Sequence, residues 1–101
     1  MDLQLKNKVF IITGGGKGIG EAITKEAARE GAKVVIVSRS EISGTEIETF
    51  LIENKADYFF IKAELSDISQ CKSAIDQTIE KYGQIDCLVN NAGLNSRRCR
   101  S

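Results

Sequence analysis

From residue 13 the chain reads Thr13-Gly14-Gly15-Gly16-Lys17-Gly18-Ile19-Gly20, between a short apolar run and an amphipathic pattern. The preceding run, Val9-Phe10-Ile11-Ile12, is typical of a strand buried on both faces of a parallel sheet. The following pattern has the spacing of a helix with one apolar face. That face consists of Ile19, Ala22, Ile23 and Ala27. Glycines allow a tight turn and leave space for an anion, and the first N–H groups of the helix point to the same place. The segment therefore predicts a phosphate-binding loop at a strand-to-helix junction.

Strand and helix patterns alternate along the rest of the chain. Apolar runs at 34–37, 58–61 and 85–89 predict three more strands. The helix between the first two is predicted to begin near Ser40 or Ser43. It is predicted to bury Ile42, Ile47, Phe50 and Leu51. Asp67 or Ser66 is predicted to cap the next helix. That helix is predicted to turn Ile68, Cys71, Ile75, Ile79 and Tyr82 inward.

This alternation predicts an α/β fold with a parallel sheet and right-handed crossovers. Gly31 and Gly83 stand where the first and third helices should stop. We expect one partial domain over residues 1–95, with about four strands and three helices, and an irregular basic tail over 96–101. The sheet is expected to be open beside its fourth strand, which favours marginal stability or association.

Two glycine-containing motifs resemble those of the short-chain dehydrogenase/reductase family. The first is T-G-x-x-x-G-x-G, formed by Thr13, Gly14, Gly18 and Gly20, and the second is Asn90-Asn91-Ala92-Gly93 after the fourth predicted strand. Both occur in the family's order, and the resemblance covers residues from about Leu5 to Asn95. It implies a Rossmann-like three-layer αβα fold, here incomplete, and hydride transfer between a nicotinamide cofactor and a small alcohol or carbonyl substrate.

Charge at the end of the second strand favours NADP over NAD. The strand ends in Ser38-Arg39-Ser40 without an acidic residue, whereas NAD sites commonly have an acid there. Arg39 offers a forked guanidinium, Lys17 can reach the same 2′-phosphate, and either serine can donate a hydroxyl. The alternative is that Lys17 and Arg39 are solvated loop charges.

Other cofactor contacts are implied by the resemblance alone. Glu64-Leu65 occupies the place where the family has an aspartate and a hydrophobic residue near the adenine. Glu64 keeps the acceptor role there, with a reach that differs by one methylene. Asn90 matches a residue that braces the sheet, and Ala92 and Gly93 match residues near the adenosine ribose. The predicted cofactor-binding residues are Gly14, Gly16, Lys17, Gly18, Ile19, Gly20, Ser38, Arg39, Ser40, Glu64, Leu65, Asn90, Ala92 and Gly93.

No catalytic residue is predicted in this chain. The family's serine, tyrosine, lysine and distal asparagine follow the fourth strand and its loop. Tyr58 and Lys62 match Y-x-x-x-K, but on a strand this spacing is about 13 Å, against about 6 Å along a helix. No metal site is predicted, because the chain has no histidine. The three cysteines are interpreted as two small core residues, Cys71 and Cys87, and one tail thiol, Cys99.

Composition narrows the class of partner. Fourteen basic and fourteen acidic residues give a net charge of zero, which argues against a general nucleic-acid or membrane-surface binder. We expect a cytoplasmic protein that forms a homo-oligomer in a full-length form. The leading hypothesis is the NADP-binding portion of an oxidoreductase, inactive alone. The alternatives are a catalytically silent nucleotide-binding or interaction fragment and a truncated gene product.

Overall fold

The computed structural model describes residues 6–14, 18–39, 44–64, 66–90 and 96–99. Its elements alternate as the sequence predicts. They are β1 (Val9–Thr13), α1 (Gly18–Arg29), β2 (Lys33–Ser38), α2 (Glu46–Glu53), β3 (Tyr58–Lys62), α3 (Ile68–Tyr82), β4 (Cys87–Asn90) and β5 (Ser96–Cys99). The first four strands and three helices confirm the predicted partial Rossmann-like α/β fold.

The sheet has the strand order β3-β2-β1-β4-β5. β1 is central and pairs in parallel with β2 on one side and β4 on the other, and β3 extends the sheet beyond β2. The register sets Thr13 at the end of β1 beside Val37 and Asn90. The carboxyl ends of the parallel strands therefore share one edge, where open α/β sheets bind their ligands.

Both faces of the sheet are buried, which explains the continuous apolar runs. On one face Ile12 and Ile36 pack with Ile47 and Leu51 of α2 and with residues of α1. On the other face the core is built from β1, β2, β3 and α3. Its buried members are Val9, Ile11, Val35, Val37, Ile61, Ala63 and Ala74.

The predicted inward face of α3 is wrong for its isoleucines, whereas Tyr82 packs against the core and Cys71 is half-buried, in agreement with the prediction. Ile68 is 86% exposed, Ile75 39% and Ile79 48%, whereas the buried residues of this helix are Ala74 and Thr78. The helix presents its small residues to the sheet, which permits close approach, and its larger aliphatic side chains lie farther out. Hydrophobic periodicity located the helix but placed its packing face incorrectly.

The first two helices differ from prediction in smaller ways. Ala22 of α1 is exposed, and Thr24 and Ala28 are buried beside Ala27. α2 begins at Glu46, with Thr45 in the N-cap position, later than predicted. Its buried residues Ile47 and Leu51 agree with the prediction. Ser40, Ile42 and Ser43 lie outside the described residues.

The tail predicted to be irregular contains a strand. β5 pairs antiparallel with β4, with Ser96 opposite Asn90 and Cys99 opposite Cys87. β4 otherwise presents an unpaired row of backbone donors and acceptors, and pairing satisfies them. Cys87 is buried as predicted, yet it is disulfide-bonded rather than a thiol, whereas Cys71 forms no disulfide. The antiparallel register brings the backbone of a second cysteine, Cys99, opposite Cys87.

Within the described part of the chain, no helix is long and apolar enough to cross a membrane. Over those same residues, no group of three or more potential ligands is placed to hold a metal ion.

Candidate functional site

Gly14 begins the turn at the carboxyl edge of the sheet. Its φ of +67° lies in the left-handed region that favours glycine. Its N–H donates to the carbonyl of Val37 at 2.8 Å, so the turn is fastened to the end of β2. Thr13 donates its hydroxyl to the carbonyl of Val89 at 3.3 Å, which fastens the same point to β4. The first residue of the motif thus acts as a structural brace.

The amino end of α1 follows this turn. The helix begins at Gly18, four residues after Gly14, and Gly20 in its first turn is buried. Thr24 is fully buried, and its hydroxyl donates to the carbonyl of Gly20 at 2.8 Å. A helix that begins here has its positive end at the edge of the sheet, which suits an anion.

A cleft of about 510 Å³ opens at this edge between the sheet and α3. Its walls are apolar on the sheet side and on α3, and its polar residues come from the ends of β1 and β2 and from the connection after β3. The lining residues are Ile11, Thr13, Val37, Arg39, Glu64, Ser66, Cys71, Ala74, Ile75 and Leu88. An apolar cleft with a few polar groups suits a flat aromatic base attached to a charged moiety.

Two charged side chains, Arg39 and Glu64, stand at this cleft. Nη1 of Arg39 is 3.8 Å from Oε2 of Glu64, and the Arg39 side chain is 74% exposed. Arg39 is therefore a cation on a largely solvated arm, able to reorient toward an anionic ligand. Glu64 also accepts weakly at Oε1 from the N–H and hydroxyl of Ser66, at 3.5 and 3.3 Å.

Asp67 caps α3 next to the cleft. Its carboxylate accepts from the N–H and hydroxyl of Ser69 and from the N–H of Gln70. The hydrogen bond from the Ser69 hydroxyl, followed by those from the two N–H groups, lowers the pKa of Asp67. This confirms Asp67, rather than Ser66, as the N-cap, which leaves Ser66 to contact Glu64.

The predicted site residues divide into two groups. Gly14, Ser38, Arg39 and Glu64 all lie at the carboxyl edge, as do the backbones of Gly18 and Asn90. Several others lie outside the described residues, namely Gly16, Lys17, Ser40, Leu65, Ala92 and Gly93, and the structure describes only the backbone of Ile19. The proposed contact between Lys17 and a phosphate therefore remains a prediction.

Of the ten residues that line the cleft, only Arg39 and Glu64 were predicted from the sequence as site residues, and the other eight include Cys71, Ile75 and Leu88. Cys71 and Ile75 were assigned to the core, and Leu88 was only part of an apolar run. Alternation along the strands provides a signal for Leu88, because it lies on the same face of the sheet as Ile11 and Val37. The orientation of α3, which decides the other two, has no such local signal.

Tyr58 and Lys62 both lie on β3. This confirms that their Y-x-x-x-K spacing is extended, and the pair stands outside the cleft lining. No acid/base chemistry follows from it.

The parallel order, the glycine turn at the end of the central strand and the cleft at its carboxyl edge define a nucleotide-binding doubly wound α/β protein. Comparison with known sequences makes the class specific. The family model for short chain dehydrogenase matches residues 8–101, and the chain belongs to that family.

Individual relatives agree with this assignment. An uncharacterized oxidoreductase of Thermotoga maritima is 44% identical over 93 residues, which are 92% of this chain and 36% of the relative. An NADH-dependent reductase solved with NAD has 34% identity and a TM-score of 0.82, over 93% of this chain and 39% of that one. An NADPH-dependent 3-quinuclidinone reductase from Rhodotorula rubra has 28% identity and a TM-score of 0.77, over 86% and 33%. The chain thus spans little more than a third of these relatives.

Proposed function

We propose that this chain is the NADP-preferring cofactor-binding part of a short-chain oxidoreductase. Family membership supports a nicotinamide dinucleotide as ligand, which supplies hydride transfer when bound. The relatives include both an NADH-dependent and an NADPH-dependent enzyme, so the preference must come from residues of this chain. The whole protein is proposed to act on an alcohol or carbonyl compound.

The observation that carries the NADP preference is the position of Arg39. It follows the last residue of β2, directly beyond Ser38, and lines the cleft. An acid at the end of this strand would bind ribose hydroxyls, whereas a guanidinium binds a phosphate through paired charge-assisted hydrogen bonds. The Gly14 turn and the amino end of α1 fit a diphosphate at the same edge. In this proposal the Gly14 turn and α1 contact the diphosphate of the dinucleotide, and Arg39 contacts its 2′-phosphate.

The preference is tested by titrating the chain with NADPH and NADH and following nucleotide fluorescence. Arg39→Gln is expected to weaken NADPH binding by about 10- to 100-fold, because a charge-assisted hydrogen bond contributes about 1.5–3 kcal/mol. NADH binding should change little. Arg39→Asp is expected to go further and reverse the preference toward NADH.

Arg29→Gln is the matched control, because it removes the same charge from an exposed arginine that pairs with Glu26 on α1. Equal NADPH affinities for the wild type and Arg39→Gln would contradict the assignment. Binding without alcohol-dependent reduction of NADP agrees with a chain that binds but does not catalyse. Turnover by the chain itself would contradict the hypothesis that this cofactor-binding part is inactive alone.

A further inference from the structure

The ends of β2 and β3 are joined so that Arg39 and Glu64 become neighbours. The register pairs Ser38 with Lys62, and the N–H of Ala63 donates to the carbonyl of Ser38 at 3.0 Å. The chain then reaches Arg39 one residue beyond β2 and Glu64 two residues beyond β3. The 3.8 Å separation of their side chains is therefore set by backbone pairing as well as by charge attraction.

Hydrogen bonds in the turn that begins at Glu64 restrain Glu64 more than Arg39. The N–H of Glu64 donates to Oε1 of Gln70 at 2.6 Å, and Oε1 of Glu64 faces the N–H and hydroxyl of Ser66. The Glu64 side chain is 44% exposed, against 74% for Arg39. The carboxylate is thus the more restrained partner of the pair, and the guanidinium is the more exposed one.

Among the described residues that line the cleft, Arg39 is the single cation and Glu64 the single anion. A phosphate that binds Arg39 comes close to that carboxylate and draws the guanidinium away from it. Both effects oppose a 2′-phosphate, and neither acts on a ribose that lacks it.

We propose that Glu64 is a specificity-determining residue, whose carboxylate competes with the 2′-phosphate of NADP for Arg39 and so limits the preference for NADP. This inference rests on the proposed function, because it takes Arg39 as the phosphate-binding residue. Arg39 sets the direction of the preference, and Glu64 reduces its size.

Glu64→Gln tests the competition, because it keeps a side-chain oxygen as acceptor and removes the charge. Affinities are measured by calorimetry for two probes that differ at the 2′ position, adenosine 2′,5′-bisphosphate and AMP, and then for NADPH and NADH. The variant is expected to bind the bisphosphate and NADPH about two- to fivefold more tightly, as an exposed ion pair contributes little. Because Glu64 is also predicted to contact the adenine, which all four probes share, the readout is the ratio of bisphosphate to AMP affinity and of NADPH to NADH affinity, and both ratios should rise by that factor. The gain should shrink in high salt.

Two further variants separate the possible outcomes. Glu26→Gln is the control, since Glu26 forms a comparable exposed pair with Arg29 on α1, away from the cleft. The double variant Arg39→Gln/Glu64→Gln should bind the bisphosphate no better than Arg39→Gln alone, because no guanidinium remains to compete for.

The inference is overturned if Arg39→Gln weakens bisphosphate binding but Glu64→Gln does not strengthen it. It is also overturned if Glu64→Gln gives the same gain in the Arg39→Gln background, which would indicate general repulsion. If Arg39→Gln does not weaken bisphosphate or NADPH binding, the proposed function itself is contradicted. Failure of this inference and failure of the proposed function are therefore distinguishable. Glu64→Asp, whose shorter side chain keeps the charge but draws it back from Arg39, should give a smaller gain than Glu64→Gln.

Discussion

Asp67 shows how one residue holds the cleft-side end of α3. Its carboxylate accepts hydrogen bonds from Ser69 and Gln70, at the point where α3 leaves its N–H groups unpaired. Because these bonds favour the charged form, the pKa of Asp67 lies below its ordinary value of 3.8. The contribution of this cap to stability is therefore complete above that value and is lost as the pH falls through the lowered pKa.

Asp67→Asn is expected to lower the urea midpoint of unfolding at pH 7, because the amide keeps an acceptor oxygen but loses the charge. The difference in urea midpoint between the variant and the wild type should narrow as the pH falls below about 4 and vanish at lower pH. Urea unfolding followed by circular dichroism between pH 2 and 7 measures it. Asp76→Asn, on the exposed surface of the same helix, is the control and should show a smaller difference. A difference that grows on acidification would contradict the role of Asp67.

At the scale of elements, the carboxyl end of α3 is attached to the loop before β3. The hydroxyl of Tyr82 donates to Oδ1 of Asp57 at 2.8 Å, and the amino groups of Lys33 and Lys81 lie over the Tyr82 ring. Gly83 then ends the helix in the left-handed conformation, as predicted. Burial, followed by the hydrogen bond to Asp57, raises the pKa of Tyr82 far above its ordinary value.

Tyr82→Phe is expected to reduce the free energy of unfolding by about 0.5–1 kcal/mol, since the lost hydrogen bond is partly exposed to solvent. The raised pKa means that the wild type keeps this contribution below about pH 10 and loses it as the pH rises, because the unfolded tyrosine then ionises. Denaturant unfolding at pH 7 to 11 measures both effects. Tyr58→Phe is the control for loss of a phenolic hydroxyl. If Tyr82→Phe loses as much free energy of unfolding at alkaline pH as the wild type does, the role of the Tyr82–Asp57 hydrogen bond is refuted.

At the scale of the whole molecule, α3 carries an isoleucine stripe, defined as Ile68, Ile75 and Ile79, whose middle member also lines the cleft. Such a stripe exposes apolar surface that association with another surface would cover. The helix contacts the sheet through Ala74 and Thr78 instead. The stripe therefore contributes little to the fold of the chain described here.

Replacing Ile68 and Ile79, the two members of the stripe outside the cleft lining, together by glutamine is expected to reduce self-association and to change the free energy of unfolding by no more than about 0.5 kcal/mol per site. Sedimentation velocity over a concentration series measures association, and urea unfolding measures stability. Thr78→Leu, on the face that meets the sheet, should instead cost about 1–3 kcal/mol, because Thr78 is fully buried and the larger side chain overpacks that interface. Unchanged association, or a large loss of stability in the double variant, would contradict this division of α3.

Local chemistry determined the elements, their order and the family. The apolar runs of β1 and β2, the glycine that follows β1 and the aspartate before α3 act through backbone preferences and nearest neighbours, so their roles were predictable. They also located the edge of the sheet where Arg39 and Glu64 stand.

Only the tertiary structure decided which side of α3 meets the sheet, that residues 96–99 pair with β4, and that Glu64 reaches Arg39. Each of these depends on contacts between segments distant in sequence, where close packing and unpaired backbone groups override periodicity. Residues 13–20 therefore indicate the kind of ligand, whereas the pairing of β2 with β3 decides which charges that ligand meets.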